Sequence, residues 1–285
     1  MQFKSGNSQE SMEGKMRIVD IPPYRSVKNF TQGKGHFLLN EILDNMRSRG
    51  QLEGVELDID EGAFTEHTRV NRDEEVLAGI TVGVLARIRE LSALDKYDAI
   101  VTHGTIEPGF FAGRMISQIP IAFSLHSAVH MASLIGDRFA IIEQADPMAQ
   151  IVRHHVQLYG LGHKLASVRA ISGSSTYTMG FILKHRKEER MKIPEVRGIL
   201  NDIVAQCVAA IEKERVDSII LGCIPIQVFE NEIRQALNDA GYGEIQLICE
   251  FPAALEMAKA MVNMKLIQSP RAYPGDELKA KPEFR

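Results

Sequence analysis

Short hydrophobic runs alternate with longer amphipathic stretches along most of this chain. Residues 55–59 alternate apolar and polar side chains, as a half-buried strand does, whereas residues 36–46 place apolar side chains at helical spacing. The pattern predicts eight strands, at residues 16–21, 55–59, 99–102, 119–123, 139–142, 165–171, 216–221 and 245–248. It predicts helices at residues 36–46, 71–91, 127–135, 148–159, 195–214, 228–239 and 252–263, and one that begins near residue 109.

This strict alternation of strands and helices, with short connections, predicts an α/β protein whose parallel sheets are covered on both faces. Eight strands could close one barrel or form two open sheets of four. The unequal helix lengths and the lack of evenly spaced glycine-bounded units favour the two open sheets. Ligands of such sheets bind beyond the carboxyl ends of the strands, so the search for chemistry starts there.

The composition of the chain argues against several classes of protein, among them nucleic-acid-binding and membrane proteins. The chain has 285 residues, 33 Lys+Arg against 37 Asp+Glu, and a net charge of −4, which argues against a nucleic-acid partner. No apolar run approaches the ~20 residues that span a bilayer, so no membrane partner is expected. Three cysteines are too few for a disulfide framework, and the polar first 15 residues lack a signal-peptide core, so a cytoplasmic location is expected.

Two predicted strand ends carry unusual residues. One strand leads into residues 102–109 (THGTIEPG) and another into residues 221–225 (LGCIP), each with small residues, a potentially reactive side chain and a proline. Backbone amides at such turns can bind an anion or an enolate. A thiol there would lie in positive potential, so we expect the pKa of Cys223 to fall from ~8.5 toward neutrality. The alternative is that Cys223 is a small buried residue that ends a strand.

The remaining cysteines and the paired histidines are interpreted more simply. Cys207 lies within a predicted helix among apolar residues and is expected in the core, while Cys249 ends the last strand and is expected to pack there or at the rim. His126 and His130 are four residues apart and could share a helix face, but the Glu of the zinc-protease motif is missing. No metal site is therefore predicted.

Several segments, in order, resemble one known family. They are residues 107–109 (EPG), 119–121 (IPI), 128–142 (AVHMASLIGDRFAII), 165–171 (LASVRAI) and 217–223 (DSIILGC). They are similar to segments of hydantoin and allantoin racemases, in the aspartate/glutamate/hydantoin racemase superfamily, and the resemblance covers about residues 16–265.

The resemblance implies two pseudo-symmetric, Rossmann-like subdomains with the active site in the cleft between them, and no cofactor. The expected subdomains are residues 16–118 plus 223–265, and residues 119–222. Members of the family usually assemble, which implies a homo-oligomer, with residues 1–15 and 268–285 as flexible or oligomer-contacting ends.

One departure from the family bears on the chemistry. Counted back from Glu107, the first catalytic cysteine of the racemases falls on Gly104. The Gly104-Thr105 pair resembles the arylmalonate decarboxylase branch, in which a glycine stands at the first site and a single cysteine at the second. His103 or His126 are candidates for the missing base.

The resemblance implies a racemase or isomerase that transfers a proton at a carbon alpha to a carboxylate or carbonyl, with Cys223 as catalytic residue. The substrate would be a small anion or a cyclic amide. Candidate substrate-binding residues are Gly104, Thr105, Ile106, Ser127, Gly222 and Ile224. Two alternatives stay open: a decarboxylase, lyase or hydrolase that uses Cys223 as proton donor or nucleophile, and a non-catalytic protein that binds an anionic metabolite.

Overall fold

Two four-stranded parallel sheets form the frame of the protein, in a computed structural model that describes residues 14–23, 25–26, 37–65, 74–171, 185 and 187–275. The strands are β1 (Met16–Ile21), β2 (Arg25–Ser26), β3 (Val55–Ile59), β4 (Phe64–Thr65), β5 (Ala99–Thr102), β6 (Ile121–Phe123), β7 (Phe139–Glu143), β8 (Leu165–Ala170), β9 (Ser218–Leu221) and β10 (Gln246–Cys249). The strand order is β3-β1-β5-β6 in the first sheet and β10-β9-β7-β8 in the second, while β2 and β4 pair separately. The predicted α/β architecture with two open sheets is confirmed.

Helices connect the strands in the predicted rhythm. They are α1 (Phe37–Ser48), α2 (Glu74–Ser92), α3 (Phe110–Ile116), α4 (Ser124–Ile135), α5 (Asp146–Leu158), α6 (Lys187–Arg190), α7 (Pro194–Glu214), α8 (Ile224–Gln227), α9 (Glu230–Asp239) and α10 (Glu250–Asn263). Most ends lie within a few residues of the predicted ones, and the predicted first residue of α2, Asn71, lies outside the described residues. None of the described helices is long and apolar enough to cross a membrane.

Three of the four central strands in the two sheets are buried over their whole length. Every residue of β5, β7 and β9 is buried, and Ile100 and Ile220 have no exposed surface. Full burial of one such side chain stabilises the fold by roughly 1.5–3 kcal/mol. Helices on both faces explain why these strands are continuously apolar rather than alternating.

One helix that follows each sheet packs against the other sheet. α4 follows β6 of the first sheet but also packs on β9 of the second, whereas α10 follows β10 of the second sheet and packs on β5 and β6 of the first. The predicted division of the chain therefore needs correction, because it assigned β6 to the second subdomain and β10 to the first. Hydrogen bonding to β5 places β6 in the first sheet, and pairing with β9 places β10 in the second.

The first part of the C-terminal segment packs against its own chain rather than extending as the predicted arm. The Gln268 side chain is buried, and its amide both accepts from the backbone N–H of Ile121 and donates to its carbonyl. The Arg114 guanidinium donates to the Tyr273 hydroxyl across 2.6 Å and stacks on its ring. The physical reason is that β6 is an edge strand, whose unpaired backbone groups need partners. Residues 1–13 and 276–285 of the predicted flexible ends lie outside the described residues.

Candidate active site

Seven residues from both sheets, with polar side chains or closely packed glycine backbone, converge where four strands end. They are His103, Gly104 and Thr105 after β5, Glu143 at the end of β7, Gly222 and Cys223 after β9, and Glu250 after β10. These are the carboxyl ends of parallel strands, where open α/β sheets bind their ligands. The hydrogen bonds between these side chains connect the first sheet to the second.

Cys223 lies at the turn between β9 and the four-residue helix α8, and only 7% of it is exposed. Burial raises the pKa of its thiol well above the ordinary value, and the neighbouring carboxylates of Glu143 and Glu250 raise it further. The predicted fall of this pKa toward neutrality is therefore wrong. A helix of one turn provides little positive potential, and two buried carboxylates outweigh it. The thiol consequently carries its proton.

Glu143 connects the thiol to the loop after β5. Its Oε2 atom accepts a hydrogen bond from the Thr105 hydroxyl at 2.6 Å, and this carboxylate also acts electrostatically on the nearby Cys223 thiol. Its Oε1 atom accepts from the backbone N–H of Gln144. Gly222 makes this approach possible, because a Cβ there would lie 2.7 Å from Oε2 of Glu143.

Glu250 connects three segments of the site. It is the first residue of α10 and has no exposed surface. Its Oε1 atom accepts hydrogen bonds from the backbone N–H of Gly104 and from Nε2 of Gln227, both at 3.1 Å. Burial raises the pKa of Glu250 to about 7, although Ser124 and His103 partly oppose the shift. This carboxyl therefore changes its charge near neutral pH.

His103 pairs with a carboxylate of the neighbouring strand. Its Nδ1 atom lies 2.6 Å from Oδ2 of Asp20, which has no exposed surface in β1. The Phe251 ring meets the imidazole edge-on, with the ring centroids 6.2 Å apart. Burial favours the neutral ring, but Asp20 outweighs that effect and, with Glu250, raises the pKa of His103.

His126 lies in a different cluster. Its ring contacts the rings of Phe110, Tyr159 and His130, at centroid distances of 5.0, 5.0 and 4.2 Å. Burial, together with the nearby His130 and Arg114, lowers the pKa of His126 to about 3. Within the described ranges, no hydrogen bond or ring contact joins His126 to Cys223 or His103.

The same cluster surrounds a second buried carboxyl, that of Glu107. It accepts hydrogen bonds from the Tyr159 hydroxyl and from the backbone N–H of His126. Burial raises the pKa of Glu107 to about 8, with those two hydrogen bonds opposing the shift.

The other candidate binding residues divide into two groups. Gly104, Thr105 and Gly222 lie among the converging carboxylates. Ile106 instead packs in a small apolar cluster with residues of α2 and α5. The buried Ser127 hydroxyl donates to the carbonyl of Phe123, and Ile224 packs at the edge of the largest core cluster. The structure thus brings Cys223, His103 and the first group together, and it directs Ile106, Ser127 and His126 elsewhere.

Cys207 is a core residue, as predicted. It has no exposed surface within α7, and burial raises its pKa to about 12. Cys249, at the end of β10, is also buried, and burial together with the nearby Glu230 raises the pKa of its thiol well above the ordinary value. Both thiols are therefore protonated packing groups.

Three acidic residues of the site were not among the candidates: Asp20, Glu143 and Glu250. The sequence did contain a signal for these three residues. Each stands at or near the end of a strongly apolar strand, where a carboxylate is unusual. Their proximity to the thiol and the imidazole depends on sheet order, which the sequence does not show. Among the residues that the structure describes, no group of three or more His, Cys, Asp or Glu side chains could hold a metal ion.

Comparison with known proteins gives consistent matches. The family model described as Asp/Glu/Hydantoin racemase matches residues 38–258. Hydantoin racemase from Pseudomonas sp. (strain NS671) is 21% identical over 182 residues, which are 64% of this chain and 65% of that protein. Hydantoin racemase from Rhizobium meliloti is 24% identical over 180 residues, 63% of this chain and 66% of that protein. Each match spans slightly less than two thirds of the curated relative.

A solved structure has the same fold. The crystal structure of allantoin racemase from Pseudomonas fluorescens superposes with a TM-score of 0.70 at 21% identity, and the match covers 91% of this chain and 97% of that chain. At this identity the likeness establishes the two-sheet architecture.

Proposed function

Because the chain belongs to the Asp/Glu/hydantoin racemase family, within the racemase/isomerase superfamily of enzymes, we propose that it catalyses cofactor-independent proton transfer at a carbon alpha to a carbonyl group. Cys223 is the proton-transfer residue in this proposal. The observation that carries it is the position of the buried, protonated Cys223 thiol, near the carboxylates of Glu143 and Glu250 where the two sheets meet.

The protonation state of Cys223 determines whether this residue first donates or accepts a proton. A thiol that carries its proton cannot abstract one, so it donates to the carbanion carbon of the substrate and becomes a thiolate. The reverse reaction begins from that thiolate. The structure therefore supports Cys223 as an acid in one direction of turnover and as a base in the other.

In this proposal, two hydrogen-bond donors that contact carboxylates in the free protein stabilise the enolate. The Gly104 amide donates to Glu250 and the Thr105 hydroxyl donates to Glu143. We assign both as donors to the enolate oxygen, which would replace a carboxylate oxygen when substrate binds. One such donor is typically worth ~3–4 kcal/mol in the transition state.

The charge of the site favours a neutral substrate over an anionic one. Glu143 and Glu250 are fully buried, and a further carboxylate beside them would repel both in a medium of low dielectric constant. A cyclic amide instead brings N–H groups that can donate to these oxygens. The relatives named hydantoin racemase and allantoin racemase agree with that choice.

Decarboxylation is the second candidate. A decarboxylase needs a proton donor on one face only, and the residues here combine a protonated Cys223 with a glycine at position 104. The buried carboxylates of Glu143 and Glu250 would repel the dianionic substrates of a decarboxylase. We therefore rank decarboxylation below racemisation.

Incubation in heavy water separates the two activities. The full chain is mixed with each enantiomer of a 5-alkylhydantoin, or with an arylmalonate, and deuterium uptake is followed by NMR against a sample without enzyme. Deuterium uptake at C5 with loss of optical purity is the expected result. Release of carbon dioxide from the malonate without exchange of the hydantoin would favour the decarboxylase, and no reaction with either would refute the proposal.

A further inference from the structure

The first sheet contains an aspartate, Asp20, that is fully buried, which is unusual for a carboxylate. Asp20 lies in β1, between apolar neighbours, and has no exposed surface. A carboxylate is rarely fully buried unless it is paired, because desolvation of an isolated charge is costly. Its Oδ2 atom faces Nδ1 of His103 at 2.6 Å, and its Oδ1 atom has no hydrogen-bond partner among the described residues.

Sheet register explains how the pair forms. β1 and β5 are adjacent and parallel, and Asp20 stands opposite Val101. His103 follows two residues after Val101, so it projects from the same face of the sheet as Asp20. The edge-on Phe251 ring fixes the plane of the imidazole from the side of α10. Two elements thus hold this histidine in one orientation.

The contact with Asp20 also selects the tautomer of His103. An imidazole whose Nδ1–H donates to a carboxylate has an unprotonated Nε2 when it is neutral, and that atom can accept a proton. No described residue forms a hydrogen bond with Nε2 of His103, and 15% of the side chain is exposed. The acceptor atom therefore remains available to a bound molecule.

Space for such a molecule lies directly beside the ring. Gly104 has φ +94°, and among the residues that the structure describes a Cβ built on it would meet only Pro23, at 3.7 Å. The amide of Gly104 points to Glu250, which also acts electrostatically on both His103 and Cys223. The imidazole and the thiol, which follow strands of different sheets, are thus both influenced by the same carboxylate.

We propose that His103, held in place by Asp20, is the second proton-transfer residue, acting on the substrate face opposite the one served by Cys223. This inference rests on the proposed function. In one direction Nε2 of His103 removes the proton from the substrate carbon, and the electron pair of the C–H bond moves into the enolate. The Cys223 thiol then gives its proton to the other face as the enolate pair forms the new C–H bond. Imidazolium and thiolate remain, and the opposite enantiomer restores the starting form by the reverse transfers.

Asp20 is a positioning residue in this scheme, since it contacts the imidazole and not the substrate. The groups that face His103 are Asp20 from β1, Glu250 at the start of α10 and the Phe251 ring. Both carboxylates stabilise the imidazolium that forms when Nε2 accepts a proton. His126 lacks such a partner, because its ring is surrounded by other rings.

Enantiomer-specific exchange in heavy water tests the assignment. A variant with one remaining acid/base group can remove and return a proton on one face only. His103→Asn is expected to exchange the C5 proton of one enantiomer of a 5-alkylhydantoin without inversion, while racemisation falls at least about a hundredfold. Cys223→Ser is expected to show the reciprocal pattern, with exchange confined to the other enantiomer.

The outcomes separate the inference from the proposed function. If the unmodified protein exchanges neither enantiomer, the proposed function fails and the inference fails with it. If the unmodified protein racemises and folded His103→Asn still racemises both enantiomers, only the inference is overturned. Circular dichroism and the thermal midpoint establish that each variant is folded.

Asp20→Asn tests the positioning role with a readout that does not depend on activity. Loss of the carboxylate should lower the pKa of His103, measured by NMR titration of its ring protons, and reduce kcat by about tenfold or more with little change in KM. Asp58→Asn is the matched control, because it removes a carboxylate from the neighbouring strand β3 that binds Lys96 and Tyr97. An unchanged His103 titration in Asp20→Asn would refute the positioning role.

Discussion

The backbone amide of Gly104 donates a hydrogen bond to Oε1 of Glu250 across 3.1 Å, although 146 residues separate the two in the chain. This contact joins the loop after the third strand of the first sheet to the first residue of α10, which follows the second sheet. It places the position that lacks a thiol beside a carboxyl whose pKa is about 7. The chemistry of the site therefore depends on how the two sheets are held together.

Substitution of the two buried cysteines Cys223 and Cys207 by alanine should have very different effects on activity. Cys223→Ala is expected to abolish racemisation and to confine deuterium exchange to one enantiomer, because it removes the proton donor at the junction of the sheets, and to leave the circular dichroism spectrum unchanged. Cys207→Ala, deep in α7, should retain activity and lower the free energy of unfolding by about 1 kcal/mol through the cavity it creates. Substantial racemisation by Cys223→Ala would remove this residue from the mechanism.

Two glycines should respond to alanine with opposite signs. A Cβ on Gly222 would lie 2.7 Å from the carbonyl oxygen of Ile142 and from Glu143, so Gly222→Ala is expected to destabilise the protein by about 1–3 kcal/mol. Gly198 is exposed within α7, and a built Cβ there would have no atom of the described residues beyond its own helix turn within 4 Å. Gly198→Ala should stabilise by up to about 1 kcal/mol through helix propensity. Urea unfolding measures both, and equal effects would contradict the close approach at Gly222.

A thiol at position 104 should restore what His103→Asn removes. Gly104→Cys places a second thiol beside the open space next to the imidazole, at a strain of ~1–2 kcal/mol because φ is +94°. In the His103→Asn background, this change is expected to recover racemisation of a chiral hydantoin, followed by optical rotation. A folded double variant that exchanges one enantiomer only would show that position 104 does not face the substrate carbon.

The buried Glu107 carboxyl should make stability depend on pH. Its pKa of about 8 in the folded protein lies above the ordinary 4.5, so the folded state holds this proton more tightly than the unfolded chain does. The resulting stabilisation is complete below about pH 4.5 and is lost as the pH rises through about 8. Within that window, each pH unit costs up to about 1.4 kcal/mol for this carboxyl.

Glu107→Gln removes that titration and keeps an amide oxygen for the backbone N–H of His126. The free energy of unfolding, measured from pH 5 to 8.5, should therefore fall less steeply in this variant than in the unmodified protein. Some slope remains because Glu250 also titrates, at about 7. Glu56→Gln, on exposed β3, is the control, and an unchanged slope in Glu107→Gln would contradict the raised pKa.

Local sequence pattern was sufficient for the elements and for the strand ends. The apolar runs of β5 and β9 are readable because a strand buried on both faces must be continuously apolar, and the reactive residues follow where those runs stop. Gly104 and Cys223 could be selected for that reason.

Only the tertiary structure decided which strands share a sheet and which side chains meet. β6 and β10 pair according to hydrogen-bond register, which depends on the position of distant strands and not on their own residues. The pKa of Cys223 rises because the thiol is buried and because the carboxylates of Glu143 and Glu250, from other elements, act on it, whereas its sequence neighbours suggested a fall. The same reason applies to His103: its own segment contains no carboxylate that could orient it, and Asp20 reaches it because β1 and β5 are adjacent. Electrostatic effects act through space, so the sequence determined which groups the site has, and the packing of the strands determined their charge.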